Sequence, residues 1–319
     1  MEGKRFLAAA ALLLFCAAAI SLVLAAKPGF EPETTVRRVD RLGLIALVRA
    51  GERLVAAGER GRILVSRDSG ATWQVASTPT YNTLTSLTFV DAKTGFATGH
   101  QGVLLRTVDG GESWQQVALG GKEKPALFAV RVEGSRGIAV GAYGAYFEST
   151  DGGATWTPRR ILDNDFDRHL TGLAACGRDC LLIAGEAGTI VRSEDGGATW
   201  QRVTSPYEGS FFGAAGLEDG SSIVFGMRGH AFRSLDRGQT WQPIELARYT
   251  GALQGATVDN NGSIVLTGAD GFVATSVDGG RTFATGALPG RPTISALLPV
   301  AGRVLLAGPA GLRWAEPAH

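Results

Sequence analysis

Ser149-Thr150-Asp151-Gly152-Gly153-Ala154-Thr155-Trp156 is one copy of a string that recurs six times along the chain. The other copies are Ser66–Trp73, Thr107–Trp114, Ser193–Trp200, Ser234–Trp241 and Ser276–Phe283. Their aspartates, Asp68, Asp109, Asp151, Asp195, Asp236 and Asp278, stand 41, 42, 44, 41 and 42 residues apart. A repeat of that length is the size of one four-stranded blade of a β-propeller.

Working outward, a Gly-x-x-Gly pair precedes each copy, and a seventh closes the series. The pairs are Gly58/Gly61, Gly99/Gly102, Gly141/Gly144, Gly185/Gly188, Gly226/Gly229, Gly268/Gly271 and Gly308/Gly311. Each unit reads as four short strands. In the second, Leu84–Val90 and Gly95–Thr98 form a hairpin, Gly102 opens the third strand and Trp114–Ala118 is the fourth. The seventh unit stops at Trp314 without a fourth strand, while Thr34–Val39 is an orphan strand near the start. The expectation is an all-β, seven-bladed propeller in which that N-terminal strand completes the last blade and leaves no free sheet edge.

Composition agrees. Glycine accounts for 45 of 319 residues, and hydrophobic residues for 45%. That is a turn-rich chain with enough apolar surface for a large core. Lysine plus arginine is 31 against 30 acids, a balance without the basic footprint of a nucleic-acid binder.

Residues 1–26 read as an export signal or an N-terminal membrane anchor, with residues 27–319 as the propeller. Lys4 and Arg5 precede an uncharged apolar run from Phe6 to Ala26 that ends in small residues. This is the pattern of a signal peptide, though it is also long enough to span a bilayer. Cys176 and Cys180 flank the turn Gly177-Arg178-Asp179 and face one another across a hairpin, so in an oxidising compartment they are expected to form a disulfide.

The sixfold string resembles the Asp-box, or bacterial neuraminidase repeat, and its chemistry reads as structural. Its aspartate accepts backbone N–H bonds across the turn, its glycine allows positive φ, and its aromatic covers the seam between sheets. One carboxylate per box is too few for calcium, so neither a metal nor a cofactor is expected. Function is expected on the opposite face, at the Gly-x-x-Gly turns and inter-blade loops. Arg60, His100, Tyr143, Arg168, Arg228, Arg248 and Tyr249 are the candidate partner-binding residues there.

Asp-box propellers include glycosidases, and Glu59, Glu186, Asp270 and the Asp163/Asp165/Asp167 loop could in principle supply a carboxylate pair. No spacing selects two of them, however. Val36-Arg37-Arg38-Val39 lacks the proline of the sialidase Arg-Ile-Pro signature, and no hydrolase, zinc-protease or nucleotide motif occurs.

Late Asp-boxes, seven units and the cadence Val90-Asp-Ala-Lys-Thr-Gly-Phe-Ala-Thr-Gly-His-Gln-Gly102 resemble the photosystem II assembly and stability factor family over essentially the whole mature chain. The resemblance implies a non-enzymatic scaffold that binds a membrane protein through an arginine patch. Arg60, Arg228 and Arg248 match that pattern, while Tyr249 stands where the family tends to carry a second arginine. The expectation is a monomeric exported scaffold, periplasmic or (by the same analogy) thylakoid-lumenal. It would dock on a membrane or exported protein. A secreted glycoside hydrolase is the alternative.

Overall fold

The computed structural model describes residues 39–162, 166–259 and 261–315. They build seven antiparallel sheets around an axis, six with four strands and one with three. The seven innermost strands are Leu44–Ala50, Leu84–Phe89, Leu127–Glu133, Leu170–Ala175, Phe211–Gly216, Leu253–Val258 and Ala296–Val300. Within each blade the strands pair in chain order, so every connection is a short hairpin or a step to the next blade. The only helical pieces among the described residues are short 3-10 turns.

Second strands are buried along nearly their whole length. Leu54–Gly58, Gly95–Gly99 and Leu181–Gly185 have no exposed residue, because both faces of each sheet lie against a neighbouring blade. The core is therefore a ring of inter-blade seams rather than one central cluster. Trp73 packs with Leu305 and Leu312 of blade seven, Trp156 with Phe96 of blade two, and Trp241 with Phe211 and the Cys176–Cys180 hairpin of blade four. Each box aromatic thus seals the seam to the blade before it.

The Asp-box turns follow one plan. In blade three Asp151 Oδ1 accepts from the Ser149 hydroxyl at 2.8 Å and from the Thr155 amide at 2.9 Å, while Oδ2 accepts from the Thr155 hydroxyl at 2.6 Å. Ser149 Oγ in turn accepts the Gly153 amide at 2.9 Å, with Gly153 at φ 82°. The same set recurs around Asp195 and Asp278. All the oxygens of these carboxylates are occupied by their own turn, as the structural reading of the box requires.

The Thr199 hydroxyl and amide hold the Asp195 carboxyl down to about 2, and the Asp151 and Asp278 carboxyls are lowered by their own threonines in the same way. A carboxyl depressed in the folded state stabilises at pH values above its unfolded pKa, near 4, and that contribution disappears as pH falls toward 2. Melting temperature should therefore be flat from pH 7 to about pH 5 and fall steeply below about pH 4. Asp195→Asn should melt lower at pH 7 and show a shallower acid decline, read by circular dichroism. Parallel acid profiles for the two proteins would remove the boxes from the acid response.

The strand bounds of blade two and the start of the ring differ from the sequence expectation. The third strand of blade two is Leu104–Thr107, with Gly102 in the turn before it. The fourth strand of blade two is Gln115–Gln116 rather than Trp114–Ala118. Trp114 turns into the seam, and its amide donates to Ser77 O of blade one at 2.9 Å instead of joining its own sheet. At the other end of the ring, Thr34–Arg38 lie outside the described residues, and Val39 opens a 3-10 turn, Val39–Arg41, rather than ending a strand. That turn lies against the last strand, Gly311–Trp314, where the chain bends toward the axis to enter blade one. The expected closing strand and the apolar segment 1–26 fall outside the described residues.

Cys176 and Cys180 are joined by a disulfide, with Cα atoms 4.9 Å apart, and continue the ladder that pairs Ala175 with Leu181. The Cys176 amide donates to Cys180 O at 2.9 Å, closing the hairpin tip in the facing geometry that the spacing implied.

Candidate functional site

The first end of the Gly-x-x-Gly turn is tied to main chain in blades one to six, and the second end in blades two, three, four and six. The residue after the first glycine donates its amide to the residue just before the innermost strand, as in His100 to Thr83 O at 3.0 Å and Met227 to Ser210 O at 3.0 Å. The second glycine donates to the incoming inter-blade loop, as in Gly102 to Pro125 O and Gly144 to Arg168 O, both at 2.8 Å. The turns and inter-blade loops therefore form a single face around the axis. The Asp-boxes lie on the opposite one, where the Gly110 amide meets Lys93 O of the first hairpin loop at 2.8 Å.

Between the paired glycines the third residue is left-handed in six blades. It is Arg60, Gln101, Tyr143, Ala187, Arg228 or Asp270, with φ between 48° and 57°. A non-glycine residue pays roughly 1–2 kcal/mol for that conformation. The tied turn imposes it, and its result is a ring of six side chains held on rigid backbone.

Arg60, Arg228 and Arg248 are exposed, and none makes a hydrogen bond or ion pair among the described residues. Arg228 and Arg248 come from adjoining pieces of chain: a Cβ on Gly229 (φ 72°) would stand 2.2 Å from Tyr249 O, so the blade-five turn and the loop into blade six are in backbone contact. Arg60 sits on the same face in blade one. His100 is exposed in the blade-two turn, and Arg168 donates from Nη1 to Ala187 O at 3.3 Å. Tyr249 is turned inward. Its ring stacks on Phe272 at 3.7 Å, its hydroxyl lies 3.0 Å from Ala252 O, and burial raises its phenol pKa. It pins the loop that carries Arg248.

One cluster escaped the sequence. His169 stands between Tyr143, edge-on at 4.9 Å, and Phe128, at 5.6 Å, and its backbone amide donates to Glu186 Oε2 at 2.8 Å. Tyr143 remains 70% exposed above it, so the cluster presents an open aromatic ring braced from below. Phe212 and Met227 add half-exposed apolar surface in blade five. The signal that could have found it is the in-phase position of Tyr143 and Arg228 in their turns. The hydrolase carboxylates are scattered: Glu59 is in blade one, Glu186 is engaged by His169 in blade four, and Asp270 is in blade six. Asp163 and Asp165 lie outside the described residues.

Fold and face together define an Asp-box propeller of seven blades that presents arginine and aromatic side chains on the face opposite its boxes. The chain belongs to the family described as "Photosynthesis system II assembly factor YCF48", whose model matches residues 65–252. Among solved structures it is similar to a YCF48 with a bound D1 peptide, at 16% identity and TM-score 0.70, covering 91% of this chain and 97% of that one. YCF48 from Cyanidioschyzon merolae matches at 15% identity and TM-score 0.67, covering 87% and 96% of the two chains. An ancestral GH74 enzyme matches at 14% identity and TM-score 0.69, covering 85% of this chain and 44% of the enzyme. No curated protein matches. At these identities the structural likeness speaks for the fold.

Proposed function

We propose that the protein is a non-enzymatic assembly scaffold, exported to a periplasmic or lumenal space, that docks on a membrane or exported protein through the Gly-x-x-Gly face. The observation that carries this reading is the trio Arg60, Arg228 and Arg248, without hydrogen bond or ion pair among the described residues, on tied turns and a pinned loop. A guanidinium in that state offers a bidentate grip on a carboxylate or on exposed carbonyls of a partner segment. The family supports the reading, as does the relative solved with a D1 peptide. Export rests on the character of residues 1–26 and on the Cys176–Cys180 pair.

A photo-crosslinking amino acid in place of Tyr143, on the proposed face, is expected to capture a discrete partner in membranes of the native host. The same residue at Val277, 83% exposed on the box side, is expected to capture none. Equal capture at the two positions would reject the face. The same preparations should show no turnover of sialosides or β-glucans; turnover that survives purification would move the protein to the glycan-active class.

A further inference from the structure

On the box side, a cavity of about 1000 Å³ lies between blades three, four and five. Its cause is local sequence. The inner strands of blades four and five end in Ala174-Ala175 and Ala214-Ala215-Gly216, where blade three carries Arg131-Val132-Glu133. Those two strands approach main chain to main chain, since a Cβ on Gly216 would lie 1.7 Å from Ala175 O. With so little side chain at their ends, space opens beside them.

The walls are charged and rigid. Arg131 pairs with Glu133 at 2.7 Å, and Arg136 donates to Asp195 O at 3.1 Å. The hairpin tip Gly177–Asp179 is closed by the Cys176–Cys180 disulfide and bolted on two sides. Arg237 Nη2 donates to Arg178 O at 2.8 Å, and the Gly196 amide donates to Asp179 O at 2.7 Å. Arg237 holds that position from a left-handed backbone at φ 60°, where four other boxes have glycine. In contrast to these committed groups, the side chains of Arg178, Asp179 and Glu218 make no hydrogen bond or ion pair among the described residues. One unpaired cation and two unpaired anions thus face a preorganised cavity with an aliphatic floor from Leu173, Ala214 and Ile138.

We propose that this cavity is a second binding site, independent of the arginine face, for an extended peptide segment that carries an acidic and a basic side chain. Arg178 takes the acid and Asp179 with Glu218 takes the base, while alanine-lined strand ends leave main chain accessible to the peptide backbone. The lining argues against other ligands. It holds no aromatic residue on which a sugar ring or nucleobase could stack, and the two free carboxylates repel a phosphate.

The test is a calorimetric titration of the oxidised protein with the blocked peptides acetyl-Glu-Ala-Lys-Ala-amide and acetyl-Lys-Ala-Glu-Ala-amide, with Gln replacing both charged residues as control. One charged peptide should bind saturably and at least about tenfold more tightly than its control, a difference of about 1.4 kcal/mol. Arg178→Ala should remove that tenfold advantage, and Ala215→Phe, which fills the cavity, should abolish binding. Reduction of Cys176–Cys180 should weaken it, and Arg60→Ala/Arg228→Ala/Arg248→Ala should leave it unchanged. Arg178 is exposed, so its variant folds even if the packed Ala215→Phe does not. The proposal is overturned if neither charged peptide saturates at millimolar concentration, if Arg178→Ala binds like the wild type, or if the top-face variant alone loses binding.

Discussion

Trp156→Ala should destabilise the propeller by about 3–5 kcal/mol, the largest loss available from any single box. Trp156 is only 2% exposed and meets Phe96 of the preceding blade edge-on at 6.3 Å. Its indole Nε1 donates to Gly153 O at 3.1 Å, so it is a buried ring with its polar atom satisfied. Removing it empties the seam between blades two and three, and the rigid sheets on either side have little freedom to collapse into the space. Thermal melting should fall by roughly 10 °C. Trp73→Ala, with its ring in the seam between blades one and seven, should behave alike. If Trp156→Ala melts within 2 °C of wild type, on the order of 1 kcal/mol or less for a domain of this size, the seams are not where the stability lies.

Gly229→Ala should have an effect of similar size, with a functional consequence added. The added methyl would collide with Tyr249 O at 2.2 Å and would sit on a backbone at φ 72°. Relief requires the Arg228 turn and the Arg248 loop to move apart, and the strain together with the displaced contacts should cost about 3 kcal/mol. Isothermal unfolding in urea measures that loss. Binding of the partner should fall even at temperatures where the protein stays folded, because two of the three arginines no longer share their spacing. Gly262→Ala, also at positive φ (77°) but with nothing within 4 Å of the added methyl, isolates the backbone term. It should cost only about 1 kcal/mol. Equal losses for the two variants would mean that the turn–loop contact contributes nothing.

Much of the architecture was legible because it repeats. Six boxes in phase with seven glycine pairs fixed the blade count, the hairpin order and the face on which the boxes lie. The chemistry of Ser149, Asp151, Gly153 and Thr155 could be read one residue at a time, because every partner is within four positions in sequence. Contacts between blades were not legible. His169 meets Tyr143 and Phe128 only because three pieces of chain converge at the rim. Tyr249 looked like a docking residue beside Arg248, yet the loop turns its ring onto Phe272 of the next blade. Arg237 stands where four other boxes carry glycine, and only the folded chain shows that it anchors the neighbouring hairpin tip. The box-side cavity had the faintest signal of all, since Ala174 and Ala214 are unremarkable until two inner strands are placed side by side.

The central claim is that one face of this propeller grips a partner with arginines that make no hydrogen bond or ion pair among the described residues. Arg60→Ala/Arg228→Ala/Arg248→Ala should therefore melt like the wild type, because none of the three side chains makes a hydrogen bond or ion pair among the described residues. Co-purification from membranes of the native host, wild type against triple variant, is the direct measurement. The account predicts that the wild type retains a specific membrane or exported partner and that the folded triple variant loses it. An unchanged set of partners on a triple variant with unchanged melting would contradict it.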